Sequence, residues 1–345
     1  MTARLPLSVI DFCTIYHGES AGQSMARSVE LAQTAERLGY SRIWYSEHHN
    51  MPSIASSSPA VLIAHIAAKT ERIRLGAGGV MLPNHSPYVI AEQFGTLAEL
   101  NPGRIDLGLG RAPGTDMNTL GRALRRDPNA AEHFPDDVVE LHGYLSGNSH
   151  IPGVQAIPGA GTNVPLYVLG SSMFGATLAA KLGLPYSFAS HFAPTHLMQA
   201  TKYYRDNFEP SDVLSEPYVI AAVNVTAAET QEEAERQTEI VRRNRVKQMV
   251  NSRAPITEAQ LDRLVESHSG QQIIEMLKFT ATGTGEQVRE YLEGFTQTAQ
   301  ADELMVSFQG PSHAHAVRSM EILADAWELD PAEAAGAPGD WNEKR

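Results

Sequence analysis

Sulfhydryl chemistry is almost absent from this chain: its 345 residues include one cysteine, Cys13, which excludes an intrachain disulfide and a cysteine-rich metal site and fits a reducing compartment. Basic charge is also short. Lys and Arg number 27 against 40 Asp and Glu, a formal net charge of -13 with His neutral, so the field of the molecule repels polyanions and argues against nucleic acid as a partner. No apolar run approaches the roughly 20 residues that span a bilayer, and the apolar stretch between Met1 and Asp11 is too brief for a signal-peptide core. A cytoplasmic protein without a membrane partner is expected. Histidine is plentiful at 13, yet none, His313 and His315 included, stands at helical spacing with carboxylates in a recognisable ligand set, so no metal is expected.

What the chain does contain is ordinary globular composition, 42% hydrophobic and 19% charged. Runs rich in Val, Ile, Leu and aromatics near residues 5–11, 42–46, 72–80, 104–110, 165–169, 185–189, 217–225 and 303–308 make eight candidate strands, most of them separated by helix-length segments. Alternating strand and helix signals predict parallel βα units, an α/β fold closing as a (β/α)8 TIM barrel. Met25, Val29, Ala32, Ala35 and Leu38 recur at helical steps, with Gly39 placed for a left-handed C-cap. Ser58 before Pro59 and Ser86 before Pro87 predict N-cap hydroxyls followed by proline at the first helical position, and Thr284 with Gln287 predicts a capping box. Two long gaps, 112–164 after strand four and 226–283 after strand seven, read as insertions. Residues 1–330 are expected to form one barrel domain, and 331–345, rich in Ala, Pro, Gly and charge, a fraying tail.

Barrel enzymes carry their chemistry where strands end. Five ends are distinctive: Trp44-Tyr45-Ser46-Glu47-His48-His49, Gly76-Ala77-Gly78-Gly79, Gly108-Leu109-Gly110-Arg111, Gly170-Ser171-Ser172, and the lead into His191-Phe192. Gly108, Gly110 and Gly114 do not make a dinucleotide fingerprint, because Pro113 interrupts the pattern and no helical periodicity follows. Since His48 and His49 are adjacent at a strand end, only one can face the pocket.

In order and spacing, over nearly the whole chain, these blocks resemble the bacterial luciferase-like family of flavin-dependent monooxygenases. Leu169-Gly170-Ser171-Ser172, followed by Ala179-Ala180-Lys181-Leu182-Gly183-Leu184-Pro185, is more similar to the FMN-using branch than to the deazaflavin F420 branch. The resemblance implies reduced FMN and O2 acting on a small organic substrate, a separate NAD(P)H:flavin reductase, and a homodimer. It implies His48 as the catalytic histidine near the reactive edge of the flavin. It also implies a non-proline cis bond between Gly78 and Gly79 under the ring; the alternative is a simple bulge. Gly110 and Arg111, with Gly170, Ser171, Ser172 and the amides up to Gly175, suit a phosphate: a guanidinium fork beside a helix N-terminus. The alternative for Arg111 is pairing with Asp116. Glu47 is expected to face away from His48 and anchor the strand, and Tyr186 and His191 to line the substrate side. The rival readings are an F420-dependent hydride-transfer enzyme on the same barrel and a flavin-binding protein without turnover.

Overall fold

The computed structural model describes residues 5–249 and 256–332. The expected tail lies outside the described residues from position 333 onward. The strands are β1 (Leu7–Asp11), β2 (Arg42–Tyr45), β3 (Arg74–Met81), β4 (Ile105–Gly110), β5 (Leu166–Gly170), β6 (Tyr186–Phe188), β7 (Val219–Ala227), β8 (Thr280–Gly283) and β9 (Glu303–Phe308). Every pairing among them is parallel; β9 lies between β1 and β7, and β7 also pairs with β6, so the sheet closes on itself. The eight barrel strands are the eight runs read from sequence. The ninth, β8, adds only to the end of β7, with Asn224 opposite Thr280 and Ala227 opposite Gly283.

The helices are α1 (Ala21–Leu38), α2 (Pro59–Ala67), α3 (Pro87–Leu100), α4 (Phe134–Ser146), α5 (Met173–Leu182), α6 (Leu197–Asp206), α7 (Gln231–Met249), α8 (Glu258–Glu266), α9 (His268–Glu275), α10 (Gly285–Ala299) and α11 (His313–Trp327). Helix α1 ends as predicted, with Gly39 at φ 92°, but its buried stripe is Ser24, Ser28, Leu31, Ala32 and Ala35 while Met25 is 37% exposed. Small hydroxyls, not the methionine, fit against the sheet there. Helices α2 and α3 begin at their prolines, yet the Ser58 and Ser86 hydroxyls make no capping bond. At α10 the Gln287 side chain accepts from the Thr284 N–H at 2.9 Å. The stretch 112–164 is only partly an insertion, because α4 is the barrel's own helix between β4 and β5. The second insertion comprises α7, α8, α9 and β8; four residues of Thr, Ala and Gly carried too little strand signal to reveal β8.

Side chains pointing into the barrel are layered. At the N-terminal ends of the strands, fully buried Arg42 donates to Glu303 at 2.9 Å, to Asp106 at 2.8 Å and to the Tyr167 hydroxyl at 2.7 Å, while Arg74 donates to Asp106 and the Tyr218 hydroxyl to Glu303. Burial would raise the Asp106 carboxyl, but Arg74 and Arg42 hold it below the ordinary carboxylate range. Above this ionic base lies an apolar layer of Ile10, Trp44, Ile220, Ala222 and Met305, with Phe12 and Leu169 packed against it. Its upper edge is the floor of the site. No described helix is long and apolar enough to cross a membrane.

Candidate active site

At the end of β2 the chain splits its polar side chains between two faces. Glu47, 1% exposed, accepts from His49 at 2.9 Å and His85 at 2.8 Å through Oε1, and from the Met81 N–H at 3.1 Å through Oε2. Burial pushes its carboxyl up, but the His49 and His85 hydrogen bonds, the His85 charge and the Met81 amide bring it down to about 2. This carboxylate therefore ties β2 to the end of β3. It anchors through histidine and backbone rather than arginine.

His48 turns the other way. Its N–H donates to the Ser56 carbonyl at 2.9 Å, and its ring stands 6.0 Å from that of Phe12. Across Phe12, at 5.8 Å, is the ring of His191, which follows β6. Asn224 of β7 donates to the His191 carbonyl at 2.6 Å and so fixes that backbone. The Nδ1 of His48 and both ring nitrogens of His191 are sealed from solvent without a hydrogen-bond partner among the described residues. Burial is the main force lowering both imidazoles; at His48 the Glu47 charge opposes it while His49 and Arg245 add to it, and at His191 Arg245 and His48 add to it, so that His191 falls to about 3. Both shifts favour the neutral ring, and the two imidazoles flank Phe12. Neither Phe12 nor Asn224 was singled out from sequence, since a strand-end phenylalanine and an in-strand asparagine carry no motif.

The Gly78–Gly79 peptide bond is cis, and the β3 register with β4 shifts between Ala77 and Val80, so both the cis bond and a bulge are present. A Cβ at Gly78 would fall 2.7 Å from the Ile10 side chain, and one at Gly79 2.7 Å from the Gly108 carbonyl oxygen. Backbone from β3 therefore packs directly on barrel residues, which is why neither position can carry a side chain.

The other end of the mouth is built on β4 and β5. Gly110 closes β4 against Met81, and exposed Arg111 projects its guanidinium to 4.0 Å from the centre of the Phe174 ring, in the first turn of α5. Asp116 does not pair with it, being engaged by Asn50 at 2.8 Å and by Thr119. Ser171 and Ser172 precede α5, Ser172 is its N-cap without a capping bond, and Gly175 packs close to Gly170. Arg111 thus lies against the first turn of α5, the helix that Ser171 and Ser172 precede. Tyr186 does not join them. It is fully buried on the outer face of β6, against Tyr204 of α6, and its hydroxyl donates to the Ser172 carbonyl at 3.2 Å. Its place is to support the Ser172 turn from behind, and the expectation that it lines the substrate side is corrected. A shallow surface depression around Asn148, Ser149 and Pro152, between α4 and β5, holds no titratable side chain. Among the described residues no group of three or more His, Cys, Asp or Glu could hold a metal.

Comparison with known proteins places the chain among related proteins over most of its length. Residues 8–302 match the family model described as luciferase-like monooxygenase. The chain is 41% identical to a luciferase-like monooxygenase of Escherichia coli K12, over 94% of this chain and 97% of that protein. It is 34% identical to the N-acetyl-S-alkylcysteine monooxygenase of Bacillus subtilis, over 93% and 97%. The crystal structure of apo-MsnO8 superposes with a TM-score of 0.84 at 33% identity, covering 95% of this chain and all of that one.

Proposed function

The chain belongs to the luciferase-like monooxygenase family, and from that premise we propose that it is a flavin-dependent monooxygenase using reduced FMN and O2 to oxidise a small organic substrate. The observation that carries the flavin reading is the convergence of Arg111 with the open N-terminus of α5. A planar cation beside unsatisfied N–H groups and two serine hydroxyls suits a dianion, and among the described residues no carboxylate pairs with Arg111. Gly110, Arg111, Gly170, Ser171, Ser172 and the backbone to Gly175 would hold the phosphate, with Gly78 and Gly79 bordering the ring.

Reduced FMN would supply the electrons for oxygen activation; the chain supplies surroundings. Phe12, Leu169, Ile10 and Met305 make the floor apolar and exclude water. His48, neutral and with Nδ1 uncommitted, can accept or hold a proton at the pocket without a competing partner. The names of the relatives above support oxygen transfer over hydride transfer. We further propose a cytoplasmic homodimer with residues 1–330 as one functional domain, supplied by a separate NAD(P)H:flavin reductase. Native mass spectrometry of the purified protein tests the cofactor, and oxygen consumption with photoreduced FMN tests the chemistry. F420 instead of FMN in the site would establish hydride transfer as the reading; FMN binding with oxygen uptake no different from free reduced FMN would leave a carrier without turnover.

A further inference from the structure

Arg111 is exposed and its guanidinium rests on the Phe174 ring, so the direction it takes depends on the backbone from which it projects. That backbone is gripped by two side chains from other parts of the chain. Arg126, in the stretch between β4 and α4, donates through one terminal nitrogen to the Arg111 carbonyl at 3.5 Å and through the other to Asn84 Oδ1 at 2.9 Å. The Asn84 amide in turn donates from Nδ2 to the Pro113 carbonyl at 3.0 Å. A ring of hydrogen bonds therefore closes around Ala112. Asn84 stands on firm ground, since it ends the turn Leu82–Asn84 that follows β3, where Glu47 accepts from the Met81 N–H at 3.1 Å and from the His85 ring at 2.8 Å. Beyond the ring, the His49 N–H donates to the Gly114 carbonyl at 3.0 Å. Both bonds of Arg126 go to neutral oxygens, and burial and then the nearby Arg111 charge weigh against its cationic form. The fork thus brings two like charges together, which position explains and ion pairing does not.

We propose that Asn84 and Arg126 are positioning residues for the phosphate end of the flavin site: by holding the carbonyls of Arg111 and Pro113 they fix the direction in which the Arg111 side chain leaves β4. The proposal rests on the flavin reading for the phosphate, whereas the clasp itself is a property of this chain. Its effect is preorganisation, because a guanidinium whose backbone is already fixed has less freedom to lose when a dianion binds. Asn84→Ala removes both ends of the amide bridge without altering charge, and Arg126→Gln removes the fork that joins it to Arg111.

The test titrates the full-length protein with FMN and with riboflavin and, without flavin, follows deuterium exchange of the amides of residues 111–118 by mass spectrometry. Wild type should bind FMN more tightly than riboflavin. Asn84→Ala and Arg126→Gln should each lower FMN affinity about 3- to 10-fold, the range of one or two net hydrogen bonds, while riboflavin affinity changes less than about twofold and exchange over 111–118 speeds up. Arg126→Lys, which keeps the charge but not the fork, should recover only part of the loss. In an Arg111→Ala background the same substitutions should weaken FMN by less than about twofold further, because a residue that acts through Arg111 then has nothing to position. A variant that keeps the wild-type ratio of FMN to riboflavin affinity, equal losses for the two flavins, unchanged exchange over 111–118, full recovery in Arg126→Lys, or a loss that persists undiminished without Arg111 each overturns the proposal. A wild type that binds FMN no better than riboflavin overturns the phosphate reading and this proposal with it, so the wild-type ratio tells the two failures apart.

Discussion

Replacing Glu47 by Gln isolates the carboxylate that ties β2 to β3. In the folded chain this group sits at about 2, against an ordinary value of 4.5. At about 1.4 kcal/mol per pH unit, that displacement amounts to about 3 kcal/mol of stability at neutral pH. The sign follows from the direction: a carboxyl depressed by folding stabilises fully above 4.5 and loses that contribution as pH falls toward 2. At pH 3 about 2 kcal/mol should already be gone. An amide at this position still accepts through Oε1, but presents N–H groups to the Met81 N–H, so one buried donor is left facing another. Urea unfolding of wild type and Glu47→Gln at half-unit steps from pH 7 to pH 3 measures the difference directly. The variant should be weaker by about 3 kcal/mol at pH 7, with the gap narrowing by about 2 kcal/mol at pH 3. A gap that stays constant over that range would refute the reasoning, since the loss would then come from shape rather than charge.

Arg111→Ala should weaken FMN binding by about 1.5 to 3 kcal/mol and leave riboflavin binding nearly unchanged; equal losses in paired titrations would remove the phosphate role. His48→Ala should bind FMN within a few fold of wild type yet lose about 100-fold in turnover, and identical rates of flavin reoxidation and oxygen uptake in the two proteins would return His48 to a purely structural part. Gly79→Ala should destabilise the barrel by about 1 to 3 kcal/mol or more, because its Cβ would meet the Gly108 carbonyl; an unchanged denaturation midpoint would contradict the packing described for β3.

Much of this was legible in the chain itself. Eight buried runs gave the barrel, and glycine pairs, serines and an arginine marked strand ends because those features are local. Three things were not. Tyr186 occupies a strand of three residues, Tyr186–Phe188, too short for alternation to tell inward from outward. Arg126 stands beside Arg125 and Asp127 in a polar stretch, and its bond to Asn84, 42 residues away in the chain, is a contact that no local pattern encodes. Arg42 and Glu303 are 261 residues apart, so their pairing is a property of closure alone.

The ionic base of the barrel also sets an order on vectorial synthesis. Asp106 follows Arg42 by 64 residues and Tyr167 follows it by 125, so early partners for the guanidinium leave the ribosome while β1 to β5 are being made. Glu303 comes 261 residues after Arg42, about 13 to 50 s later at ordinary elongation rates. For that interval the nascent half-barrel holds Arg42 through Asp106 and the Tyr167 hydroxyl and keeps an edge open at β1, the strand to which β9 must add. Closure and charge neutralisation then happen in one event, so a nascent chain stalled before residue 303 exposes both an unpaired strand edge and an incompletely compensated cation, the features that chaperones and proteases meet first.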